Sequence, residues 1–325
     1  MLFFLAARAL AEDDDDDLFW VGGGLAVQPS FAADTFSLGG ELEADLLAQK
    51  GPVGFRLDLD LRAAVLPDFA ILEAAPDVVP INMVRPEWAM VEASGESWAA
   101  RGGIVNSAFG LEDWDVGAAY LPTHGTYFDL SPGRMLGSEF GWTFGDDGPT
   151  VTVGGGLDLD WDAPIVEANL NLEGDSFATW SGIAAYPADG MYAAVIGAEM
   201  YPAEVVTLAL GGMAGVVGDK AYATGSLYGV FLPEAMVNPT LRLDASFDPD
   251  GAFADGGAPL TPWTVSAGGA VAPTDFLKFL VEAKVMGTAD EPAAGVYAAL
   301  CVFVPGPPED EEDEDEPEGA AAADD

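Results

Sequence analysis

Basic residues are scarce in this chain of 325 residues, because 11 Lys and Arg stand against 55 Asp and Glu for a net charge of −44. A chain with so few cations cannot neutralise phosphate groups, which excludes nucleic acid as a partner. The acidic balance indicates either an acid-rich surface suited to a saline habitat or an electric field that attracts cations.

Cysteine and histidine are almost absent, with one of each. Cys301 cannot form an intramolecular disulfide, and its apolar surroundings predict a small side chain packed in the last strand. His124 lies in a short loop sequence without a nucleophile motif such as G-x-S-x-G. One His and one Cys also supply too few ligands for a zinc site. We therefore predict no catalytic residues, no metal site and no cofactor, and the chain is not expected to be an enzyme.

Long hydrophobic runs are missing as well, although half of the residues are hydrophobic. The sequence contains no uninterrupted apolar stretch of the length needed for a transmembrane helix, which argues against a helical membrane protein. The 40 glycines and the 10% aromatic residues are typical of strand-rich barrels, which use Gly in tight turns and aromatic side chains at the lipid interface.

The clearest pattern in the sequence is a strict alternation in residues 54–65, which read GFRLDLDLRAAV. A period of two places apolar side chains on one face of a strand and charged side chains on the other. The same division recurs along the chain, for example in residues 165–173 and 240–248. Many amphipathic strands without covering helices can bury their apolar faces by closing into a barrel that turns them toward lipid.

The predicted fold class is therefore all-β, a transmembrane up-and-down antiparallel β-barrel of about 16 strands, with a range of about 14–18. Turns are predicted at residues 187–190, 202–204 and 218–220 from their Pro, Gly and Asp content. The predicted strands are residues 18–28, 35–48, 53–65, 86–93, 97–105, 114–121, 133–144, 150–161, 165–173, 177–186, 191–201, 205–217, 221–232, 237–247, 260–272, 276–286 and 293–304.

The chain divides into four segments by composition. Residues 1–11 resemble a secretory signal peptide, although they lack a basic region before the apolar core. Residues 12–17 form an acidic leader, residues 18–304 form the barrel, and residues 305–325 form an acidic tail with too little apolar content to fold. Within the barrel, residues 66–85 contain three prolines and are predicted to be a long loop, either extracellular or folded into the lumen.

Three stretches resemble the β-barrel porins of bacterial outer membranes. They are the charged strand GFRLDLDLR at residues 54–62, the strand-to-loop sequence RGGIVNSAFGLE at residues 101–112, and the strand from Pro132 to Phe144. The resemblance covers about the first half of the chain. It implies passive diffusion of small solutes across the outer membrane, and it raises the possibility of a homotrimer.

The expected function is that of a porin for small hydrophilic solutes or ions, with a preference for cations because acids dominate. Charged side chains at a constriction set the selectivity of such pores. Two alternatives remain open: a structural outer-membrane barrel with a blocked lumen, and a secreted acidic all-β protein. Most of the few cations and several acids on the same strand faces are the predicted pore-lining residues: Arg56, Asp58, Asp60, Arg62, Arg101, Arg134, Arg242, Asp244, Lys278, Glu282 and Lys284.

Overall fold

The computed structural model is all-β and describes residues 17–32, 35–65, 83–106, 121–123, 134–145, 148–159, 162–174, 176–203, 205–233, 235–252, 261–274, 276–287 and 292–303. No helix among these residues is long and apolar enough to cross a membrane. The strands are β1 Asp17–Gly22, β2 Gly24–Ala32, β3 Thr35–Lys50, β4 Val53–Val65, β5 Met83–Gly95, β6 Trp98–Asn106, β7 Arg134–Thr143, β8 Thr150–Asp158, β9 Ala163–Gly174, β10 Phe177–Tyr186, β11 Met191–Ala203, β12 Val206–Val217, β13 Lys220–Phe231, β14 Val237–Phe247, β15 Trp263–Thr274, β16 Leu277–Met286 and β17 Ala293–Phe303.

The strands form one closed antiparallel barrel. From β2 onward each strand pairs with the next strand in the chain, β1 pairs with β3, and β17 pairs with β2 to close the sheet. Strands β1 and β2 pair with β3 in a single unbroken register, so they are two halves of one strand interrupted at Gly23. Gly23 has φ +151°, and a side chain there would meet the backbone of Glu43. Because β1 and β2 count as one, the wall of the described barrel consists of sixteen strands, as the sequence predicts.

The two faces of the barrel wall differ as the alternation predicts. Large apolar side chains such as Leu241, Leu243 and Val166 are about half exposed on the outer face. Their neighbours Arg242 and Glu167, on the opposite face, are buried. A soluble protein rarely exposes so continuous an apolar surface, whereas a bilayer covers it. The inner face therefore encloses a lumen lined by both polar and apolar side chains.

One edge of the barrel, here called the short-turn edge, carries only short connections together with both ends of the described chain. Two-residue connections at residues 51–52 and 96–97 lie at this edge, while residues 66–82 and 107–133 join strands at the other edge. Exposed aromatic side chains are frequent near the short-turn edge, as expected for a lipid interface. They are Phe19, Phe55, Trp98, Phe140, Trp142, Phe144, Phe177, Tyr201, Phe231 and Phe276.

The structure corrects four local predictions. Asp17 begins β1 and is not part of a leader. Residues 83–85 belong to β5 and pair with β4, so the predicted loop is shorter than 66–85. Leu121 is in a bend and not in a strand. Pro202 and Ala203 continue β11 through an irregularity in its pairing with β12, which lets the strand accommodate a proline without an N–H group.

Other predictions agree with the structure or fall outside it. The turns at residues 187–190 and 218–219 are present, and Gly190 and Gly218 have φ of +64° and +63°. Lys220, however, already begins β13. Cys301 is buried in the last strand. The predicted signal peptide, the rest of the acidic leader, the acidic tail, residues 66–82 and residues 114–120 lie outside the described residues.

An Arg at the centre of the outer face should destabilise the barrel more than the same residue at its edge. We expect Leu243→Arg to lower the free energy of unfolding by about 2–4 kcal/mol, because the guanidinium would enter the middle of the bilayer. The matched control is Val237→Arg at the start of the same strand, which should cost about 0–1 kcal/mol. Urea unfolding in lipid vesicles measures both variants, and equal losses would contradict the assignment of this face to lipid.

Candidate functional site: the barrel lumen

A buried polar cluster lies on the inner face of β13 to β16. In β14 the alternation of Leu241 and Leu243 with Arg242 and Asp244 places the two charges inside the barrel. Arg242 has no exposed surface, and Glu282 from β16 has none either. Charged groups this deeply buried are found in proteins only when they are paired and hydrogen-bonded.

Arg242 is satisfied by two carboxylates. Its Nε donates to Asp244 Oδ2 at 3.1 Å, and its Nη2 donates to Glu282 Oε1 at 3.0 Å. The second oxygen of Asp244 accepts a hydrogen bond of 2.5 Å from Ser226 Oγ on β13. The guanidinium also lies 5.8 Å from the ring centroid of Tyr228. Side chains from β13, β14 and β16 thus hold Arg242 in one orientation.

Thr123 is attached to this cluster from inside the lumen. Its carbonyl oxygen accepts a hydrogen bond from Arg242 Nη1, and its Oγ1 accepts one of 2.9 Å from Nη2. Its backbone N–H and its hydroxyl both donate to Glu282 Oε2, at 3.1 and 2.7 Å. We call Thr123, Arg242 and Glu282 the lumen clamp.

The lumen clamp shows that residues 121–123, which belong to the connection between β6 and β7, lie inside the barrel. Leu121 is buried, and its Cδ2 lies close to Gly268 of β15, where a side chain would leave it little room. Lys284 Nζ lies 3.4 Å from Thr123 Oγ1 on the other side of the clamp. Residues 121–123 therefore cross the inner face of β14 to β16 and occupy part of the lumen.

A wetter region lies on a different part of the inner wall, along β3 to β6. A cavity of about 240 Å³ is lined there by Gln49, Arg56, Trp88, Glu92 and Arg101. The side chains of Arg56 and Arg101 are 43% and 40% exposed, in contrast to the fully buried Arg242. Arg101 Nε pairs with Glu92 Oε2 at 2.6 Å, and Arg56 lies 4.8 Å from the ring centroid of Trp88.

Three carboxylates meet beside this cavity. Oxygen atoms of Glu43, Asp45 and Asp58 all lie within 4.8 Å of one another, a separation at which they could share a metal ion. Asp58 is buried, and Arg56 Nη2 lies 3.8 Å from its Oδ2. A guanidinium so close supplies positive charge that a metal would otherwise have to provide.

The predicted pore-lining residues thus fall into separate groups. Arg242, Asp244, Glu282 and Lys284 meet at the clamp, while Arg56, Asp58 and Arg101 line the β3–β6 region. Lys278 is half-buried on β16, and Arg134 is buried at the start of β7. The side chains of Asp60 and Arg62 lie outside the described part of the structure.

Thr123, which holds residues 121–123 against the wall, is not among the pore-lining residues predicted from the sequence. Residues 114–121 are predicted as a strand because their apolar content fits one, and no periodicity marks Thr123 as a wall contact. Glu92 and Trp88 were missed as well, although both alternate with apolar residues along β5. Pro122, directly after the predicted strand, was the one local signal that the strand pattern ends there.

Comparison with known proteins addresses the fold. No protein-family model matches this chain, and no curated protein matches its sequence. The channel DcaP of Acinetobacter baumannii is 12% identical and superimposes with a TM-score of 0.62, covering 91% of this chain and 100% of that one. OmpF of Salmonella typhi, solved with daunomycin, is 11% identical with a TM-score of 0.62, covering 89% and 98%.

A third solved structure extends the same similarity. OmpT of Vibrio cholerae, an outer membrane protein solved in a trimer form, is 10% identical with a TM-score of 0.60, covering 89% of this chain and 100% of that one. This chain has the fold of the bacterial outer-membrane porins. The match confirms the predicted barrel class and the resemblance to porins at the level of the fold, and the predicted outer-membrane location agrees with it.

Removal of Arg242 should destabilise this porin-fold barrel strongly. Arg242→Ala leaves the buried carboxylates of Asp244 and Glu282 without their cation, and we expect a loss of about 3–5 kcal/mol in the free energy of unfolding. Arg101→Ala is the matched control, because its ion pair with Glu92 is partly exposed to water and should contribute about 0–1 kcal/mol. Urea unfolding in lipid measures both, and a smaller loss for Arg242 would show that the clamp is not the stronger interaction.

Proposed function

We propose that this protein is an outer-membrane porin through which small hydrophilic solutes and ions diffuse, with a preference for cations. The main support is a difference between two sides of the inner wall, one covered by chain and one open to water. Residues 121–123 cover one side of it, while the β3–β6 side keeps a cavity with two exposed guanidinium groups. Exposed charges inside a barrel require water around them, because burial without partners is costly.

The charge of the inner face supports the cation preference. Rings and rows of charged side chains set the selectivity of a pore through the field that they create. Within the described strands, inward-facing carboxylates outnumber inward-facing cations. The carboxylates are Glu43, Asp45, Asp58, Glu92, Glu139, Asp158, Glu167, Glu173, Glu199, Asp244 and Glu282, and the cations are Arg56, Arg101, Lys220, Arg242, Lys278 and Lys284.

The pairing of these charges decides which of them contribute to the electric field inside the lumen. Arg242 is neutralised by Asp244 and Glu282 and is sealed from water, so it stabilises the wall and exerts little force on a passing solute. Arg56 and Arg101 remain in the wet region next to Asp58 and Glu92. We infer that solutes are oriented along β3 to β6, where both signs of charge are accessible.

A structural barrel with a blocked lumen is the second candidate function. It is favoured by the lumen clamp and by the burial of inward-facing Met135, Tyr186 and Met213, which line a closed part of the interior. An open pore and a blocked one differ in conductance and not in fold. A homotrimer and the absence of enzymatic activity stay predictions.

The reversal potential in a planar bilayer tests the proposal. With a tenfold KCl gradient, the purified protein should give a steady conductance whose reversal potential has the sign of a cation-selective pore, because acids dominate the inner face. Arg56→Gln and Arg101→Gln together should increase that selectivity, since they remove the exposed cations. Anion selectivity would contradict the charge argument, and folded, inserted protein without conductance would support the blocked barrel.

A further inference from the structure

A row of charged residues runs around the inner wall from β6 to β9. Arg101 on β6 lies directly opposite Glu139 on β7. Gly154 on β8 is the cross-strand partner of Glu139 on one side and of Glu167 on β9 on the other. These pairs face the lumen, because Leu136 and Phe140 beside Glu139 are exposed on the outer face. The register therefore places Gly154, which has no side chain, between Glu139 on one side and Glu167 on the other.

The two carboxylates lean over Gly154. A methyl group added there would lie 3.0 Å from Glu139 Cγ and 3.3 Å from Glu167 Oε1. Both glutamates are only 5% exposed. The missing side chain at Gly154 thus creates the space in which two buried acids approach each other.

Glu139 lacks a hydrogen-bond partner for one oxygen in this space. Its Oε1 is buried and accepts no hydrogen bond from the part of the chain that the structure describes. Burial of a carboxylate oxygen without a partner is strongly unfavourable, so such a group requires a neutralising or donating partner. Asn169, two residues along β9 from Glu167, has a buried Nδ2 that is likewise unsatisfied among the described residues.

Protein cations are poorly placed to neutralise Glu139. Arg101, its cross-strand neighbour, directs its Nε to Glu92 at 2.6 Å. The sequence has no Lys or Arg in residues 66–82, 107–120 or 124–133, the longest connections between strands β4 and β7. The row from β5 to β9 therefore contains three acids, Glu92, Glu139 and Glu167, for one arginine.

We propose that Glu139 and Glu167 bind a hard divalent cation of the Ca²⁺ type over Gly154. Carboxylate oxygens are the ligands that Ca²⁺ prefers, and the ion tolerates an irregular arrangement completed by water. A water molecule beside the ion, outside its first coordination shell, would also offer an acceptor to the amide of Asn169. The cation would link β7 to β9 across β8 and would lower the negative charge of this part of the lumen wall.

The site differs from the cluster of Glu43, Asp45 and Asp58. That cluster has more carboxylates, but Arg56 lies within ion-pair distance of Asp58 and competes with a metal. Beside Glu139 and Glu167 the arginine in the described cross-strand row is Arg101, whose Nε is already paired with Glu92. The proposal does not depend on transport, because the cation would bind to the wall whether or not the lumen conducts.

Isothermal titration of CaCl₂ into the EDTA-treated full chain, refolded in a zwitterionic detergent, tests the site. The wild type should bind Ca²⁺, and Glu139→Gln and Glu167→Gln should each weaken binding at least about tenfold, because each removes a charge in direct contact with the ion. Glu173→Gln is the matched control, since it removes an exposed acid from the same strand β9 and should bind like the wild type. Added Ca²⁺ should also raise the unfolding temperature of the wild type and of Glu173→Gln only.

Three results would overturn the proposal. They are the absence of Ca²⁺ binding by folded wild type, equal binding by Glu139→Gln and the wild type, and an equal loss in Glu173→Gln. Asp58→Asn separates the two acidic clusters. A loss of binding in Asp58→Asn without a loss in Glu139→Gln would place the cation between Glu43, Asp45 and Asp58 and would also contradict the assignment to β7 and β9.

Discussion

Closure of the sheet is the constraint on which the rest of the structure depends. Lipid offers no hydrogen bonds to an exposed strand edge, so every backbone group in the bilayer must pair within the protein. The pairing of β17 with β2 satisfies this requirement, and the unbroken register of β1 and β2 against β3 completes the wall. Once the sheet is closed, the alternation of side chains assigns the apolar residues to lipid and the polar residues to the lumen.

The lumen then poses an electrostatic problem that the protein solves in two ways. On β13 to β16, Arg242 is buried with Asp244 and Glu282, and these groups hold Thr123 against the wall. On β3 to β6, Arg56 and Arg101 stay accessible to water beside Asp58 and Glu92. Buried pairs fix a geometry, whereas exposed charges create a field for passing solutes. The β13–β16 side of the wall therefore has a structural role, and the β3–β6 side has the proposed role in selectivity.

The sequence predicts the barrel well, because its period of two reports the environment of each side chain directly. In β4 and β9, Leu57, Asp58, Val166 and Glu167 lie on the expected faces. The lumen clamp could not be predicted, because it joins residues 119 and 159 positions apart in the chain and rests on one threonine in a segment without periodicity. Alternation shows that Arg242 faces inward, but only the register of β14, β15 and β16 shows which acids surround it.

The single-channel conductance of Arg242→Ala beside the wild type tests most directly whether the clamp holds residues 121–123 in the lumen. Only folded, inserted molecules contribute to such a recording, so a lower folding yield does not obscure the result. We expect a larger and noisier conductance in the variant, because Thr123 loses the donors that fix it to the wall. An unchanged conductance in Arg242→Ala would contradict the claim that Arg242 holds residues 121–123 in the lumen and that these residues narrow the pore.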